Sequence, residues 1–474
     1  MRTVGGPGAS TIVVAVLLLI ATLPGCEPAV APPRYHVLLV TLDTTRADRL
    51  GCYGDPRPTS RELDRLAAES AVFDAAIAQA AVTPVSHASI LTGLDPHHHG
   101  LRVMHGLVAN RLDEAQETVA ETWLAAGGRT AAVVSAYPVT DDFGLAQGFE
   151  HFDASFLEGA GQGRRTAAGQ VNTGLSQRGA KETTDAAIAW LHSVGQSADL
   201  PFLLWVHYFD PHDDFLLPPP DLLEALMDGP LAPAGPSLAD TVRAHYDCDV
   251  HFMDHHLGRL LRELRVRGLW ERTIIAVVAD HGEGLGDHDW WTHGILYQEQ
   301  IRVPCIVRLP GMTGGRRIAS LVRTTDLVPT LLEAAGVDRA LWPAMDGRSL
   351  VETIAAGRTA APRSAYSESV NMVRYARHDA PGTHEVKDDK LYALIDGPLK
   401  LIHHQLRPEE SELYDLSTDP GEQVNLAARP AHRADMERLT ARLDSMGVES
   451  PIMPGMSVSD LERLRRLERL GYVR

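Results

Sequence analysis

Cysteine is scarce in this sequence, with 4 residues among 474. Cys26 belongs to the N-terminal segment, and Cys52, Cys248 and Cys305 lie far apart along the rest of the chain. Such spacing supplies neither a disulfide framework nor the paired cysteines of a zinc site. Cys305 lies in the apolar run RVPCIV, where we expect a small core residue.

Basic residues are outnumbered: there are 44 lysines and arginines against 62 aspartates and glutamates, and the formal net charge is -18. This balance argues against nucleic acid as a partner, because a polyanion is bound by lysines and arginines that neutralise its phosphates. A small anionic ligand still fits, provided that a metal ion or a local cluster of cations binds it. With 44% hydrophobic residues, the chain is long enough for one large domain and a smaller one.

The N-terminal hydrophobic run, Ser10–Leu23, has about 14 residues, fewer than the roughly 20 that a membrane-spanning helix needs. Together with Arg2 it predicts an export signal. The run ends in LPGC, which resembles a bacterial lipobox, so we expect a lipid on Cys26; an ordinary signal peptide or a short anchor is the alternative. The prediction is an exported lipoprotein of the bacterial cell envelope, in the outer membrane and facing the periplasm.

Apolar runs of strand length alternate with amphipathic segments along most of the chain. The runs are YHVLLVTLD, RTAAVVSAYP, PFLLWVHYFD, TIIAVVAD and RVPCIVRLP. Near-continuous apolar strands are typical of parallel sheets covered by helices on both faces. SRELDRLAAES, with Ser60 as a candidate cap, and AHYDCDVHFMDHHLGRLLRELRVRG have helical patterns. We therefore predict an α/β fold with a mostly parallel central sheet flanked by helices.

The last part of the chain indicates a smaller unit. LYALIDGPLKLIHH has a hairpin pattern that turns near Asp396 and Gly397, and a charged helix is expected near Pro430–Met446. We predict a small C-terminal antiparallel α+β subdomain. The predicted boundaries are 1–26 for a lipoprotein signal peptide, 27–34 for a linker, 35–346 for the main α/β domain, 347–388 for a connector, 389–446 for the C-terminal subdomain and 447–474 for a tail.

Three of the predicted strands end in groups that can bind a metal ion or an anion. The run YHVLLVTLD leads into Asp43, and the run PFLLWVHYFD leads into His207, Asp210 and His212. The run TIIAVVAD leads into Asp280 and His281. Ligands of open α/β sheets bind beyond the carboxyl ends of the strands, so the three ends point to one site. Taken singly, an aspartate after a strand is more often a cap or turn residue, and His281 could be a hydrogen-bonded loop histidine.

Thr83 is the candidate nucleophile. It precedes Pro84 in AVTPVSHASILTG, which suits the first position of a helix. A hydroxyl there faces free backbone N–H groups and the positive end of the helix dipole, which stabilise an anion. The alternative is that Thr83 only caps the helix, although Ser86, His87 and His97–His99 make the surroundings unusually polar. For His97 and His98 a solvated turn is the simpler interpretation.

Several segments match one family in its own order. They are LVTLDTTRADRLGCYG, TPVSHASILTGLDPHHHG, VHYFDPHDDF, ADHGEGLGDHDWWTHGILYQEQIRVP, VRTTDLVPTLLEAAGV and ELYDLSTDPGEQVNL. They resemble segments of the sulfatase family of the alkaline phosphatase superfamily, over about His36 to Leu426. The resemblance implies an alkaline-phosphatase-like α/β domain with a C-terminal subdomain. It also implies a divalent metal ion whose bound nucleophile attacks sulfur or phosphorus.

The resemblance also assigns residues by position. Asp43, Asp280 and His281 look like metal ligands, Thr44 stands where many sulfatases have a second aspartate, and Thr83 is expected to reach the same ion. His212 and His293 fall where family members place cations that bind sulfuryl or phosphoryl oxygens, and His207 and His288 are weaker candidates of that kind. His87 sits where the sulfatase signature has the arginine that orients the nucleophile. The candidate catalytic residues are therefore Thr83, His87, His212 and His293.

The sequence departs from the family at the nucleophile. Sulfatases proper carry Cys, or sometimes Ser, in a C-x-P-x-R signature, and this residue is oxidised to formylglycine. Aligning SHASILTG with the end of that signature puts Thr83 at the position of the oxidised Cys or Ser. Pro84 then lies one residue early, and Val85 occupies the usual place of the proline. Threonine cannot become formylglycine, so none is expected. The chain is similar instead to superfamily members with a threonine nucleophile, among them phosphodiesterases and phosphoethanolamine or phosphoglycerol transferases.

We expect one divalent metal ion. Calcium prefers about six to eight oxygen ligands, whereas Thr44 in place of an aspartate, together with His281, gives fewer and mixed donors. This favours Mn²⁺ or Zn²⁺ over Ca²⁺. A second ion, bound through Asp210 and His212, stays open.

The function that these residues favour is hydrolysis of sulfate or phosphate (di)esters through Thr83, with a small-molecule, glycan or lipid ester as substrate. Thr83 would attack in line, histidines would offset the charge on the equatorial oxygens, and one of them would protonate the leaving group. Two alternatives remain. One is a transferase that moves a phospho-alcohol group onto an envelope glycan or lipid; such enzymes commonly have a multi-span membrane domain. The other is a non-catalytic binding protein with the same fold.

Overall fold

The computed structural model describes residues 34–103, 111–157, 164–165, 171–172, 177–194, 200–212, 216–357, 363–370 and 389–449. Its strands are β1 (His36–Leu42), β2 (Ala71–Ile77), β3 (Arg129–Val133), β4 (His151–Asp153), β5 (Arg164–Arg165), β6 (Val171–Asn172), β7 (Phe202–Tyr208), β8 (Thr273–Ala279), β9 (Arg302–Val303), β10 (Cys305–Arg308), β11 (Arg316–Arg323), β12 (Ala365–Ser369), β13 (Leu391–Asp396), β14 (Leu399–His404) and β15 (Glu412–Asp415).

Its helices are α1 (Arg61–Ala67), α2 (Thr83–Thr92), α3 (Pro96–His99), α4 (Val119–Ala125), α5 (Ala180–Ser193), α6 (Pro220–Met227), α7 (Leu238–Val266), α8 (Gln298–Ile301), α9 (Leu327–Ala335), α10 (Val351–Ala356) and α11 (Arg433–Met446). Within the described ranges, no helix combines the length and the apolar character needed to cross a bilayer.

The large sheet has the strand order β11-β2-β10-β8-β1-β7-β3-β4, with β9 pairing with β2. The pairs among β8, β1, β7, β3 and β4 are parallel, as is β2 with β11. The predicted α/β fold with a mostly parallel sheet is therefore confirmed. β10, from the run RVPCIVRLP, is antiparallel to both neighbours, because an apolar run indicates burial on both faces but not direction.

The centre of this sheet brings three strand ends together. Every residue of β1, β7 and β8 is buried, and Val40 of β1 lies opposite Val206 on one side and Val277 on the other. Because these strands are parallel and in register, their carboxyl ends lie at one edge. Asp43 continues the ladder, since its N–H donates to the carbonyl of Tyr208. Cys305 is a buried core residue, as expected.

The helix α1 forms where the sequence predicts it, but its N-terminus is capped differently. Ser60 occupies the cap position and makes no side-chain bond to the helix backbone. Both carboxylate oxygens of Asp254 in α7 accept instead, from the N–H groups of Glu62 and Leu63. A cap donated by a distant helix cannot be recognised from local spacing.

A second sheet, with the order β12-β13-β14-β15, forms the C-terminal subdomain. β13 and β14 make the predicted hairpin, with Asp396 opposite Leu399 and Gly397 in the left-handed region at the turn. α11 contacts β14 and β13. β12 and α10 fall inside the stretch 347–388 that the sequence analysis assigned to a connector. The strand β12 is an edge of this sheet, and its residues, AYSES, are too polar to suggest a buried strand.

Other sequence predictions lie outside the described residues. They are the export signal, the lipidated Cys26, nearly all of the linker, and most of the C-terminal tail after residue 449.

Candidate active site

Asp43, Asp280 and His281 meet at the carboxyl ends of β1 and β8. Each offers one ligand atom, these atoms all lie within 4.8 Å of one another, and the three side chains are fully buried. Oδ1 of Asp43 and Oδ2 of Asp280 are buried without a hydrogen-bond partner. Buried polar atoms are almost always paired, so two carboxylate oxygens without a hydrogen-bond partner in one buried cluster fit a bound cation.

The electrostatics of the two carboxyl groups lead to the same conclusion. Burial raises the pKa of Asp43 well above its ordinary value, and the charge of Glu283 adds to the effect. Burial also raises the pKa of Asp280, and repulsion from Asp43 raises it further. Two desolvated carboxylates this close are unfavourable together unless a positive charge compensates them. The donor set, two oxygens and an imidazole nitrogen, suits a divalent metal ion.

Thr44 lies beside this group. Its N–H donates to Oδ1 of Asp280 at 3.1 Å, and its Oγ1 is buried without a hydrogen-bond partner. Its φ of 47° is in the left-handed region, which a β-branched residue rarely adopts. A strained backbone and an unpaired hydroxyl at this point fit the predicted role of Thr44 as a ligand.

Thr83 is the first residue of α2, and Val82 before it occupies the cap position. The alternative that Thr83 merely caps the helix is therefore wrong, because a helix has one such residue and it is a valine here. Oγ1 of Thr83 lies 3.3 Å from Nε2 of His281, which places the hydroxyl against the metal-ligand group. Ser86, one turn into α2, donates to the carbonyl of Asp280 at 2.7 Å and ties the helix to the loop.

His87 is also inside this site, but it faces the backbone of Thr83. Its Nδ1 lies 2.8 Å from the carbonyl oxygen of Thr83 and 3.4 Å from Oδ2 of Asp280. Burial, together with the neighbouring His207, lowers the pKa of His87 well below its ordinary value. The ring therefore favours the neutral form, and its contact with the Thr83 carbonyl supports the start of α2.

His212 and His293 stand above the metal-ligand group. The ring centroid of His293 lies 4.6 Å from that of His281 and 4.9 Å from that of His212. Burial lowers the pKa of His212 well below its ordinary value, and the charge of His293 lowers it further. Burial would lower the pKa of His293 as well, but the charge of Glu283 with its contact at 3.3 Å, together with the charges of Asp43 and Asp280, outweighs that effect and raises the pKa. Of the two residues expected to act as cations here, His212 and His293, His293 has the raised pKa and His212 the lowered one.

The weaker candidates occupy other positions. Nε2 of His207 contacts Oδ2 of Asp43 at 3.1 Å and orients that carboxylate from behind. Oδ1 of Asp210 accepts from the N–H of Ala180 at the start of α5, so Asp210 holds a helix end in place. His288 binds Glu299 and the carbonyl of Glu422, next to the C-terminal subdomain and outside the metal-ligand group.

Three residues that sequence reasoning missed take part in the site. Glu283 partners His293, and Arg46 and Tyr246 bind the loops that carry the metal ligands. Glu283 and Arg46 lie within the segments ADHGEG and LDTTRAD, so their position beside the ligands was visible. Their partners were not, because a contact such as Arg46 to Glu283 joins residues far apart in the chain.

Comparisons with known proteins show which family this chain resembles. A family model described as Sulfatase matches residues 35–337, and one described as N-sulphoglucosamine sulphohydrolase, C-terminal, matches residues 286–449. An arylsulfatase of Clostridium perfringens is 25% identical over 91% of this chain and 99% of its own length. An N-acetylglucosamine-6-O-sulfatase of Bacteroides thetaiotaomicron is 30% identical, but the match spans 42% of this chain and only 34% of that protein.

Solved structures share the fold. BT4656, in complex with its substrate D-glucosamine-2-N,6-O-disulfate, superposes with a TM-score of 0.68 at 23% identity, over 87% of this chain and 97% of that one. The phosphonate monoester hydrolase of Agrobacterium radiobacter superposes with a TM-score of 0.65 at 21% identity, over 87% of this chain and 95% of that one. Both a sulfated-sugar-binding protein and a phosphonate hydrolase therefore have this architecture.

Proposed function

The chain belongs to the sulfatase family of the alkaline phosphatase superfamily, and on that basis we propose that it hydrolyses sulfuric or phosphoric esters through Thr83. The observation that carries the proposal is the position of the Thr83 hydroxyl, 3.3 Å from His281 and at the N-terminus of α2. A threonine hydroxyl beside a proposed cation site and a helix N-terminus is placed to attack the sulfur or phosphorus atom of an ester and to form a covalent ester with it.

The nucleophile distinguishes this chain from sulfatases that use formylglycine. Threonine cannot be converted to that aldehyde, so the group that attacks is the threonine hydroxyl itself. In the first step the Thr83 hydroxyl releases its proton to solvent as its oxygen bonds to sulfur or phosphorus. The bond from that atom to the leaving oxygen breaks, the leaving oxygen takes up a proton to depart as the alcohol, and a sulfo- or phospho-threonine ester remains. In the second step water attacks sulfur or phosphorus, restores the Thr83 hydroxyl and releases sulfate, phosphate or, from a diester, a phosphate monoester.

We propose one divalent ion bound by Asp43, Asp280, His281 and Thr44, with Mn²⁺ or Zn²⁺ favoured over Ca²⁺ because the donors are few and include an imidazole. Such an ion supplies Lewis-acid chemistry: it lowers the pKa of a nearby hydroxyl and polarises a substrate oxygen. The chain's own contribution is to hold the ligands. His207 orients Asp43, and the backbone N–H groups of Thr44 and His281 both donate to Asp280.

The three histidines near the proposed ion have different roles. His293, whose pKa is raised by the charge of Glu283, binds the non-bridging oxygens of the substrate and is the candidate proton donor to the leaving alcohol. His212, neutral and stacked on Phe209 with ring centroids 4.3 Å apart, donates one N–H to the same oxygens. His87 holds the carbonyl of Thr83, so that the nucleophile keeps its orientation.

The substrate class follows from chemistry shared by the relatives. The similar proteins act on, or bind, sulfated sugars and phosphonate monoesters. A small molecule or glycan that carries a sulfate or phosphate ester would present the same tetrahedral anion to His293 and the ion. We also propose that the mature protein is exported and attached to the envelope through lipidated Cys26, on the lipobox-like LPGC.

The test is hydrolysis of matched aryl esters by the protein without its first 26 residues. Aryl sulfate, phosphate monoester, phosphodiester and phosphonate monoester are compared before chelation, after chelation, and after Mn²⁺, Zn²⁺ or Ca²⁺ is restored. We expect turnover of at least one ester, loss on chelation, and recovery with Mn²⁺ or Zn²⁺. Turnover that resists chelation would exclude the metal. No turnover unless an acceptor alcohol is present would indicate a transferase, and no turnover at all would favour a binding protein.

A further inference from the structure

Arg46 connects the two loops that carry the metal ligands. It lies three residues after Asp43 and is 4% exposed. Its Nη1 donates to the carbonyl oxygens of Glu283 at 3.1 Å and Gly284 at 3.0 Å, in the loop that begins with Asp280 and His281. One side chain thus spans from the end of β1 to the loop after β8.

The contacts of this guanidinium use its whole donor capacity. Besides the two carbonyls, Nε and Nη2 bind both oxygens of Asp48, at 2.9 and 2.7 Å, and Nη2 lies 2.7 Å from Asp287. A guanidinium has five N–H donors in a fixed plane, and these contacts account for all five. A lysine has a single ammonium group with three donors, so it could not make the same set.

Tyr246 of α7 fixes the backbone of the same loop. Its hydroxyl accepts from the N–H of Arg46 at 2.9 Å and donates to the carbonyl of Thr44 at 2.8 Å. The hydroxyl therefore bridges Thr44, whose φ is 47°, and Arg46, two residues later. A left-handed threonine persists only where its neighbours hold it, and Tyr246 is such a neighbour.

We propose that Arg46 and Tyr246 form a clamp that positions the metal ligands: Tyr246 sets the conformation of Thr44, and Arg46 sets the distance between the Asp43 loop and the Asp280–His281 loop. Neither residue is a ligand or a catalytic residue. The inference rests on the proposed metal-dependent function, because its consequence is the affinity for the ion. Substitutions that disturb the support of metal ligands typically weaken affinity about 10- to 100-fold.

The structure also provides a way to test the clamp chemically. The outer side of Arg46 lines a cavity of about 300 Å³ together with Asp48, Asp287, His288, Glu299 and Arg302. If Arg46 is shortened to alanine, a free guanidinium ion can enter from this cavity and replace the missing group. Arg302 lines the same cavity, but its Nε donates to the carbonyl of Asp74 on β2, away from the metal-ligand loops.

The experiment is titration of the metal-free protein with Mn²⁺ alone, for the wild type, Arg46→Ala, Tyr246→Phe and the control Arg302→Ala. We expect affinity about 10- to 100-fold weaker in Arg46→Ala and Tyr246→Phe and unchanged in Arg302→Ala. Millimolar guanidinium, but not urea, should restore Arg46→Ala and leave Tyr246→Phe weak. With saturating Mn²⁺, kcat should fall more than KM rises, because the substrate anion still binds His293.

The possible outcomes distinguish failure of the proposed clamp from failure of the proposed function. If the wild type binds neither Mn²⁺ nor Zn²⁺, the proposed function itself fails. If the wild type binds Mn²⁺ and the folded variants bind it equally well, or if guanidinium restores no affinity to Arg46→Ala, the clamp is wrong and the function stands. Tyr246→Phe removes one oxygen atom and keeps the ring, so it remains informative even if Arg46→Ala does not fold.

Discussion

At the scale of single residues, the carboxyl groups of Asp43 and Asp280 determine what the site binds. They are buried side by side, and both have pKa values raised by that burial. Charges in this arrangement repel each other in the metal-free protein and attract a cation strongly. The same pair would therefore lower the stability of the metal-free protein and supply the affinity for the proposed ion.

Replacing Asp43 with asparagine separates these two effects. We expect Asp43→Asn to bind Mn²⁺ more than about 100-fold more weakly, because it removes a ligand charge, and yet to melt at a higher temperature than the wild type when both are metal-free. Asp74→Asn, in a partly exposed carboxylate on β2 that pairs with Arg317, is the control and should change neither quantity. Calorimetric melting with and without Mn²⁺ measures both. A metal-free Asp43→Asn that melts lower would contradict the account.

The sequence allowed Asp43, Asp280, His281 and Thr83 to be chosen, because strand ends and helix starts can be recognised locally. It did not allow the protonation states of the site histidines to be predicted. His212 and His293 were both expected as cations. Burial lowers the pKa of His212, whereas the charges of Glu283, Asp43 and Asp280 outweigh burial and raise the pKa of His293. Which histidine has an acidic neighbour is a property of the folded chain.

At the scale of elements, the exit of β8 is the tightest point of the site. A Cβ atom added to Gly282 would lie 2.0 Å from the carbonyl oxygen of Glu299, so the loop can turn there only without a side chain. This close approach sets the direction in which His281 leaves the strand. Sequence reasoning had no means of identifying Glu299 as the group against which Gly282 packs.

Gly282→Ala tests this packing. We expect a loss of about 1–3 kcal/mol in unfolding free energy, because backbone must move to admit the methyl group, and a weaker affinity for Mn²⁺ because His281 moves with it. The matched control is Gly314→Ala, where the added Cβ meets nothing within 4 Å. Urea denaturation and Mn²⁺ titration measure the two effects. Equal behaviour of the two variants would show that the turn is not tight.

At the scale of the whole molecule, a buried ion pair connects the C-terminal subdomain to the start of α8 and to His288 in the main domain. Nζ of Lys400 on β14 lies 2.6 Å from Oε1 of Glu422, and both side chains are fully buried. The other oxygen of Glu422 accepts from the N–H of Gln298 at the start of α8, and its carbonyl contacts His288. The hairpin was predictable from its alternation and turn, but this connection to the main domain was not.

Lys400→Met should therefore destabilise the protein as a whole. We expect a loss of about 3–5 kcal/mol, because the carboxylate of Glu422 is left buried without its partner. The double variant Lys400→Met/Glu422→Gln removes the charge and should recover more than half of the loss. Arg433→Met, in an exposed pair with Glu437, should lie within about 0.5 kcal/mol of the wild type. A double variant no more stable than Lys400→Met would show that the pair's charge is not the cause.

The account as a whole depends on Thr83 as the nucleophile, and turnover by Thr83→Ala tests it most directly. The variant and Thr83→Ser are compared with the wild type on the preferred ester at saturating metal, after bound metal has been measured in all three. We predict that Thr83→Ala loses at least about a thousandfold in kcat/KM while Thr83→Ser, which keeps a hydroxyl, retains measurable turnover. A metal-loaded Thr83→Ala within about tenfold of the wild type would contradict the account and assign the attack to water.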